Sequence, residues 1–383
     1  MISIQIFNLN NYINKSRLLK KYPSCNFFTK ELTYSFVIEI ISNIEIQIIK
    51  HDKQIYLNNK NCLIFFNNIS EVINISISFA DYIKNEIEIC ANNYFLYSNR
   101  IEKFNNDSKL GNDAKSNLFS IMGILNVTPD SFSDGGKYLS LEDAYLHFKM
   151  LHQNGADIID IGGESSRPGA AEISVDEEIN RTLPLINKII TENPDVIISI
   201  DTKKAKVAEQ ALLSGVKIVN DISGFEYDKN MLDVLIKYKP IYVLMHMKGI
   251  PLNMQDSPVY DDPVKEIIYF FKTKIKILNE IGINNIILDP GIGFGKRLED
   301  NLEIISRLDE FKILGYPIMI GLSKKRFLGN ITNSSVSERD IETIIMETIA
   351  VNNGASFIRT HEVENCKKLK LLFNHYKYPI KNG

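Results

Sequence analysis

Acids, amides and basic residues recur in this chain at one kind of place, directly after short apolar runs. Asn126 follows Ser120-Ile121-Met122-Gly123-Ile124-Leu125, and Asp201 follows Val196-Ile197-Ile198-Ser199-Ile200. Asn220 follows Lys217-Ile218-Val219, Asp289 follows Ile286-Ile287-Leu288, and Lys325 lies just beyond Pro317-Ile318-Met319-Ile320. Asp160 stands within Asp157-Ile158-Ile159-Asp160-Ile161, Met245 and His246 close the run beginning at Ile241, and Ser356-Phe357-Ile358-Arg359 leads to Thr360-His361. A single polar residue in such a place is usually a helix cap or turn former. Acids, amides and bases after all eight runs instead indicate one shared polar site.

The set has two chemical halves. Asp201, Asn220, Asp289 and Lys325 offer two carboxylates, an amide and an ammonium, which suit a flat, nitrogen-rich heterocycle with donors and acceptors on its edges. Asn126, Arg167, Arg359 and His361 offer a neutral oxygen and cationic or hydrogen-bonding groups, which suit a phosphate or diphosphate with a hard cation such as Mg²⁺. The glycine-rich stretches 162–169 and 291–295 permit close approach of backbone to a ligand. The pattern Gly291-Ile292-Gly293-Phe294-Gly295 is weak by itself, because it also serves simple tight turns.

Residues so far apart in sequence need a scaffold that gathers strand ends. Amphipathic segments at about 141–154, 176–192, 203–214, 228–238, 262–281, 299–311 and 340–353, with a last one after 362, alternate with the apolar runs. Alternating βα units predict a parallel sheet, and eight of them predict closure into a (β/α)₈ TIM barrel with every strand carboxyl end at one mouth. An open doubly wound sheet is the alternative.

The barrel pattern does not reach the first part of the chain. Of 20 glycines only Gly111, and of 12 prolines only Pro23, precede residue 117. Period-two runs at 36–40, 44–48 and 73–77, and at the start of the chain, predict a smaller β-rich (α+β) N-terminal domain over 1–102. The polar stretch from Lys103 predicts a linker over 103–117, ahead of the barrel at 118–383. No phosphate-loop motif or site spacing occurs in residues 1–117, where His51 and the scattered carboxylates read as solvated surface.

Composition excludes some functions. The net charge of −3 lacks the basic excess of a nucleic-acid binder. No apolar run reaches the roughly 18–20 residues of a membrane span. The four cysteines at 25, 62, 90 and 366 show neither CxxC nor metal spacing, as expected of free thiols in the reducing cytoplasm. Residues 1–30 contain no Asp or Glu, which leaves organelle targeting as an alternative.

The segments Gly123-Ile124-Leu125-Asn126-Val127-Thr128-Pro129-Asp130-Ser131-Phe132-Ser133-Asp134-Gly135-Gly136 and Asp160-Ile161-Gly162-Gly163-Glu164-Ser165-Ser166-Arg167-Pro168-Gly169-Ala170 resemble the signatures of the dihydropteroate synthase family, and so do later segments through 358–361. The resemblance covers about 118–380. It implies an alkyl-group transferase of folate biosynthesis, a sulfonamide target, joining 6-hydroxymethyl-7,8-dihydropterin diphosphate to p-aminobenzoate. It implies that Asn126 coordinates Mg²⁺, that Asp201, Asn220, Asp289 and Lys325 hold the pterin, and that Met245 and Phe294 wall its pocket. By the same resemblance Arg359 and His361 receive the leaving diphosphate, and Ser166 and Arg326 contact p-aminobenzoate. The resemblance further implies that Asp130 and Arg167 lie on loops closing over the reacting centre, and that the protein is a homodimer through the barrel. Lys324 departs from the Arg common in relatives. A pterin-binding methyltransferase-type domain and an inactive pterin-binding scaffold are the competing readings.

Overall fold

Runs such as Ile158-Ile159-Asp160-Ile161 carry apolar β-branched side chains at successive positions, so a strand made from them must be covered on both faces. The computed structural model describes residues 2–8, 12–22, 36–42, 55–58, 61–77, 79, 81–108, 119–128, 140–165, 170–249, 254 and 258–377. They divide into two compact units, one of residues 1–100 with 306–315 and one of 101–305 with 316–383.

In the second unit the runs form β5 (Ser120–Asn126), β6 (Ile158–Gly162), β7 (Ile197–Asp201), β8 (Ile218–Asp221), β9 (Ile241–Met245), β10 (Ile286–Asp289), β11 (Met319–Gly321) and β12 (Phe357–Thr360). Their order is β10-β9-β8-β7-β6-β5-β12-β11, and the paired strands are parallel. A parallel bridge from Leu288 to Ile318, with Leu288 N–H donating to the Pro317 carbonyl at 2.8 Å, joins the two ends and closes the barrel. Met122, Ile158, Ile218, Val243, Ile287, Met319 and Phe357 pack into one buried cluster.

The surrounding helices are α5 (Leu141–Gln153), α6 (Val175–Glu192), α7 (Ala205–Leu213), α8 (Met231–Tyr238), α9 (Pro263–Glu280), α10 (Leu298–Ser306), α11 (Arg326–Thr332), α12 (Asp340–Asn352) and α13 (Val363–Lys377). Side chains of Ser140, Ser174 and Asp262 accept from backbone N–H groups in the first turns of α5, α6 and α9, fixing where those helices start. The helix expected over 299–311 is two pieces, α10 and a 3-10 helix at Leu308–Leu314.

That 3-10 helix belongs to the first unit, whose elements are β1 (Ile2–Asn8), α1 (Tyr12–Lys21), β2 (Phe36–Ser42), β3 (Ile55–Asn58), β4 (Asn61–Phe66), α2 (Ile69–Ser76), α3 (Asp81–Phe95) and the start of α4 (Tyr97–Ser108). Its antiparallel sheet runs β1-β2-β4-β3 over a core that includes Phe7, Leu18, Tyr22, Val37, Leu63 and Phe65. The chain leaves the second unit after Ile305, places Arg307 to Leu314 in the first, and returns at Tyr316. There Arg307 grips Glu310 with two nitrogens at 2.7 and 3.0 Å, and both side chains are wholly buried. Gln5 adds a hydrogen bond to Glu310 at 3.1 Å, Tyr94 OH donates to Asp309 at 3.0 Å, and Asn93 donates to the Ile313 carbonyl at 2.8 Å.

Three expectations are corrected or fall outside the structure. Residues 73–77 are not a strand: they lie in α2 and the turn after it. Asn68 accepts from Glu71 N–H at 3.1 Å, Glu71 accepts from Asn67 N–H at 2.9 Å, and this reciprocal cap starts a helix that buries Val72 and Ile75. The linker does not begin at 103, because α4 continues to Ser108. Tyr97, Ile101 and Phe104 recur at helical spacing beneath an Asn-rich polar face that masks them in sequence. The expected strand at 44–48 lies outside the described residues.

Candidate active site

Barrel register sets the first row of the site. Across β5, β6, β7 and β8, Asn126 pairs with Gly162, Gly162 with Asp201, and Asp201 with Asn220. Neighbouring residues in register project to the same side of a sheet, about 4.8 Å apart. A Cβ at Gly162 would lie 3.4 Å from Asn126 Oδ1 and 3.5 Å from Asp201 Cβ, in ordinary contact with both, so the glycine stands directly between these two neighbours.

Two residues deeper along β6, Asp160 is wholly buried. Its Oδ2 accepts from Asn220 Nδ2 at 3.0 Å and from Arg359 Nε at 2.7 Å. Arg359 Nη2 reaches Asp201 Oδ2 at 2.6 Å, so one guanidinium spans two carboxylates from adjacent strands. Burial pushes the Asp201 carboxyl well above the usual carboxylate range; Arg359 opposes this, while Asp160 adds to it. Asp160 carried no role in the sequence reading, although an acid inside an otherwise apolar strand was its signal.

The opposite wall comes from β10 and the loop entering α11. Asp289 ends β10 and accepts from Gly291 N–H at 2.7 Å. Burial raises its pKa, while the Gly291 N–H, Lys325 and Arg359 pull the other way. Lys325 precedes α11, with its ammonium 4.3 Å from the centre of the Phe294 ring. Burial lowers its pKa to about 8, although Asp289 opposes the change. Met245, at the end of β9, is buried next to this wall, its Cγ 3.3 Å from the position of a Cβ on Gly291.

Lys324, just before this lysine, has a φ of 55°, a left-handed conformation that costs a non-glycine residue of order 1 kcal/mol. Thr343 accepts from Lys324 N–H at 3.1 Å, and Arg339 donates to its carbonyl at 3.1 Å. Glu362 and Asp340 hold its ammonium at 2.7 and 3.3 Å. The strained turn that presents Lys325 is therefore fixed from several directions.

The other expected residues are placed as follows. Arg326 is the exposed first residue of α11. His361 is exposed after β12, with its N–H and Nδ1 at 3.1 and 3.2 Å from Ser323 Oγ. Asp130, Ser166 and Arg167 lie outside the described residues. The stretch before Ser166 is anchored by Lys204, which sequence reasoning did not single out: it binds Glu164 at 2.6 Å and Glu178 at 2.8 Å.

Among the described residues no three His, Cys, Asp or Glu side chains gather as a metal cage. Mg²⁺ keeps several waters and takes substrate phosphate oxygens, so it needs only one or two protein oxygens. The half-buried Asn126 Oδ1 in the strand-end row fits that requirement.

The family model described as pterin binding enzyme matches residues 122–361. A dihydropteroate synthase of Clostridium beijerinckii is 47% identical over 255 residues, which is 66% of this chain and 92% of that protein. A solved Yersinia pestis dihydropteroate synthase in a sulfonamide drug complex is 39% identical with a TM-score of 0.65, covering 68% of this chain and 94% of that one. The Xanthomonas albilineans enzyme in complex with 7,8-dihydropteroate is 32% identical with a TM-score of 0.62, covering 68% of this chain and 94% of its own. With the strand-end acids, Asn220, Lys325 and Arg359 placed in one barrel, the chain belongs to the pterin-binding enzyme family as a dihydropteroate synthase.

Proposed function

We propose that the chain joins 6-hydroxymethyl-7,8-dihydropterin diphosphate to p-aminobenzoate through a loose, SN1-like displacement at the pterin methylene, with Asp201, Asn220, Asp289 and Lys325 binding the ring. The support is one juxtaposition: the buried Asp289 and the half-buried Asp201, carboxylates whose charge is disfavoured, stand with the half-buried Lys325, whose charge is also disfavoured. A pterin edge that donates N–H to the acids and accepts from the lysine relieves both penalties. Phe294 and Met245 cover the ring faces.

As the methylene carbon–oxygen bond lengthens, its electron pair leaves with the diphosphate, and the electron-rich dihydropterin shares the positive charge left on carbon. Arg359 and His361 receive the diphosphate. Arg359 is drawn from its two acids towards the richer anion, a charge-assisted interaction formed most strongly as negative charge builds. Asn126 would hold Mg²⁺, which when bound would neutralise part of the diphosphate charge. Ser166 and Arg326 orient p-aminobenzoate, and Asp130 and Arg167 cover the reacting centre. The arylamine nitrogen then bonds to the methylene and loses a proton. It is neutral at pH 7, so no strong base is required.

The same proposal includes a homodimer through the barrel. Ile341, Ile345 and Ile349 recur at helical spacing on α12 and are 73%, 53% and 40% exposed, a stripe suited to a second copy. Cytoplasmic location accords with the buried thiols of Cys62 and Cys366, which form no disulfide among the described residues. No helix among the described residues is long and apolar enough to cross a membrane.

Diphosphate release measured with each substrate withheld in turn tests the reaction. Release that needs the dihydropterin diphosphate, p-aminobenzoate and Mg²⁺ together is expected. Release without the arylamine overturns the transfer step, and no release at all favours an inactive pterin-binding scaffold.

A further inference from the structure

We propose that Lys296 is a positioning residue of the pterin site, fixing the loop that carries Phe294 against the end of β9. The inference rests on the pterin reading above, and its geometry lies outside the residues assigned to substrate.

The loop 291–295 is pressed onto the chain that follows β9. A Cβ on Gly291 would fall 2.0 Å from the His246 carbonyl oxygen, and one on Gly295 would fall 2.1 Å from that of Lys248. Both glycines have positive φ, 69° and 61°, so both the conformation and the approach require them. Tyr260 OH donates to the Gly295 carbonyl at 2.9 Å, and Asn301 accepts from Gly293 N–H at 2.8 Å.

Lys296 completes this clamp from within, and it is 3% exposed. Its ammonium lies 3.1 Å from His246 Nδ1, 3.2 Å from the His246 carbonyl and 3.0 Å from the Phe294 carbonyl. A lysine ammonium has three N–H donors, and three acceptors surround it. All three are neutral. Burial and the nearby Lys296 and Lys248 hold the His246 pKa well below its ordinary value, which leaves Nδ1 able to accept.

Among the described residues no carboxylate is in contact with this ammonium, and a buried charge so placed is an expensive way to fill space. An apolar side chain of the same length would pack there at lower cost. What lysine adds is a tie between two main-chain segments, one ending in Met245 and His246, the other carrying Phe294. Because Lys325 sits over the Phe294 ring, the tie sets one face of the pterin pocket. Burial lowers the Lys296 pKa to about 7; Lys325 and Lys248 push the same way, while Asp289 and Asp300 oppose. Tyr260, Asp289, Lys248 and Lys325 also face the loop.

The test is Lys296→Met in the full chain, which keeps the length and bulk of the side chain and removes its donors. A rise of about tenfold in KM for the dihydropterin diphosphate is expected, the size that follows from losing hydrogen bonds to a charged donor. The kcat and the KM for p-aminobenzoate should stay within about twofold. Aminoethylation of a Lys296→Cys variant, which restores an amine on a chain of lysine length, should bring the pterin KM back. A folded Met variant with unchanged pterin KM, or one whose kcat falls while that KM holds, overturns the assignment. If the Met variant does not fold, His246→Phe removes one acceptor and keeps a ring beside Phe270: a selective rise in pterin KM supports the tie, and an unchanged KM overturns it. Wild-type protein that needs both substrates for turnover separates failure here from failure of the pterin reading.

Discussion

The guanidinium of Arg359 donates to the Asp201 carboxylate at 2.6 Å, and burial nevertheless keeps the Asp201 pKa raised. A pterin that donates N–H groups needs Asp201 ionised, so binding should strengthen as pH rises through the raised Asp201 pKa. It should weaken again as Lys325 loses its proton near its pKa of about 8. A bell-shaped dependence of kcat/KM for the dihydropterin diphosphate is the expected result. Asp201→Asn should remove the acidic limb, and Lys325→Met the alkaline one.

Lys325→Ala should also lower kcat/KM for the pterin substrate by about a hundredfold, the scale of losing charge-assisted hydrogen bonds in a buried site. Steady-state rates read this ratio, and calorimetric titration with the dihydropterin diphosphate reads the loss of affinity behind it. Unchanged affinity would mean that the pocket has been assigned to the wrong wall.

Glu347, wholly buried on α12 near Thr360 and Cys366, is pushed up to about 8 by burial. A carboxyl raised in the folded state keeps its proton there while the unfolded chain has lost it. The stabilisation it gives is complete below the unfolded pKa of about 4.3 and is lost as pH rises to about 8. Denaturant melts from pH 5 to pH 8 should show stability falling across that window, with a flatter slope in Glu347→Gln.

Arg307→Met leaves the Glu310 carboxylate buried without its two-point partner. A loss of about 3–5 kcal/mol is expected in the first unit, and the double change Arg307→Met with Glu310→Met should recover most of it. Chemical denaturation of the three variants measures the difference. Because residues 306–315 belong to that unit, expression of 118–383 alone should give poorly soluble protein, with Leu308, Phe311 and Ile313 stripped of their packing.

The barrel and its mouth were legible because each strand is a short β-branched run with a polar residue at one end; eight such units favour closure, and the bridge from Leu288 to Ile318 supplies it. Register is what sequence periodicity leaves out. That Gly162 lies between Asn126 and Asp201, or that Arg359 reaches Asp160 as well as Asp201, depends on pairing across strands. Lys296 and His246 were hidden for a similar reason, since 50 residues separate them and their role is a contact between two loops. Residues 73–77 misled because Ile73-Asn74-Ile75-Ser76-Ile77 alternates like a strand, while the Asn68 and Glu71 cap decides for helix. The first unit's use of 306–315 leaves no periodic trace at all.

The most direct test of the central claim is mass-spectrometric detection of 7,8-dihydropteroate made by the purified full chain from the dihydropterin diphosphate, p-aminobenzoate and Mg²⁺. Product should form at a rate matched by diphosphate release, and both should fall by about a hundredfold in Lys325→Ala. Product formation that is the same in Lys325→Ala, or diphosphate release without dihydropteroate, would contradict the account.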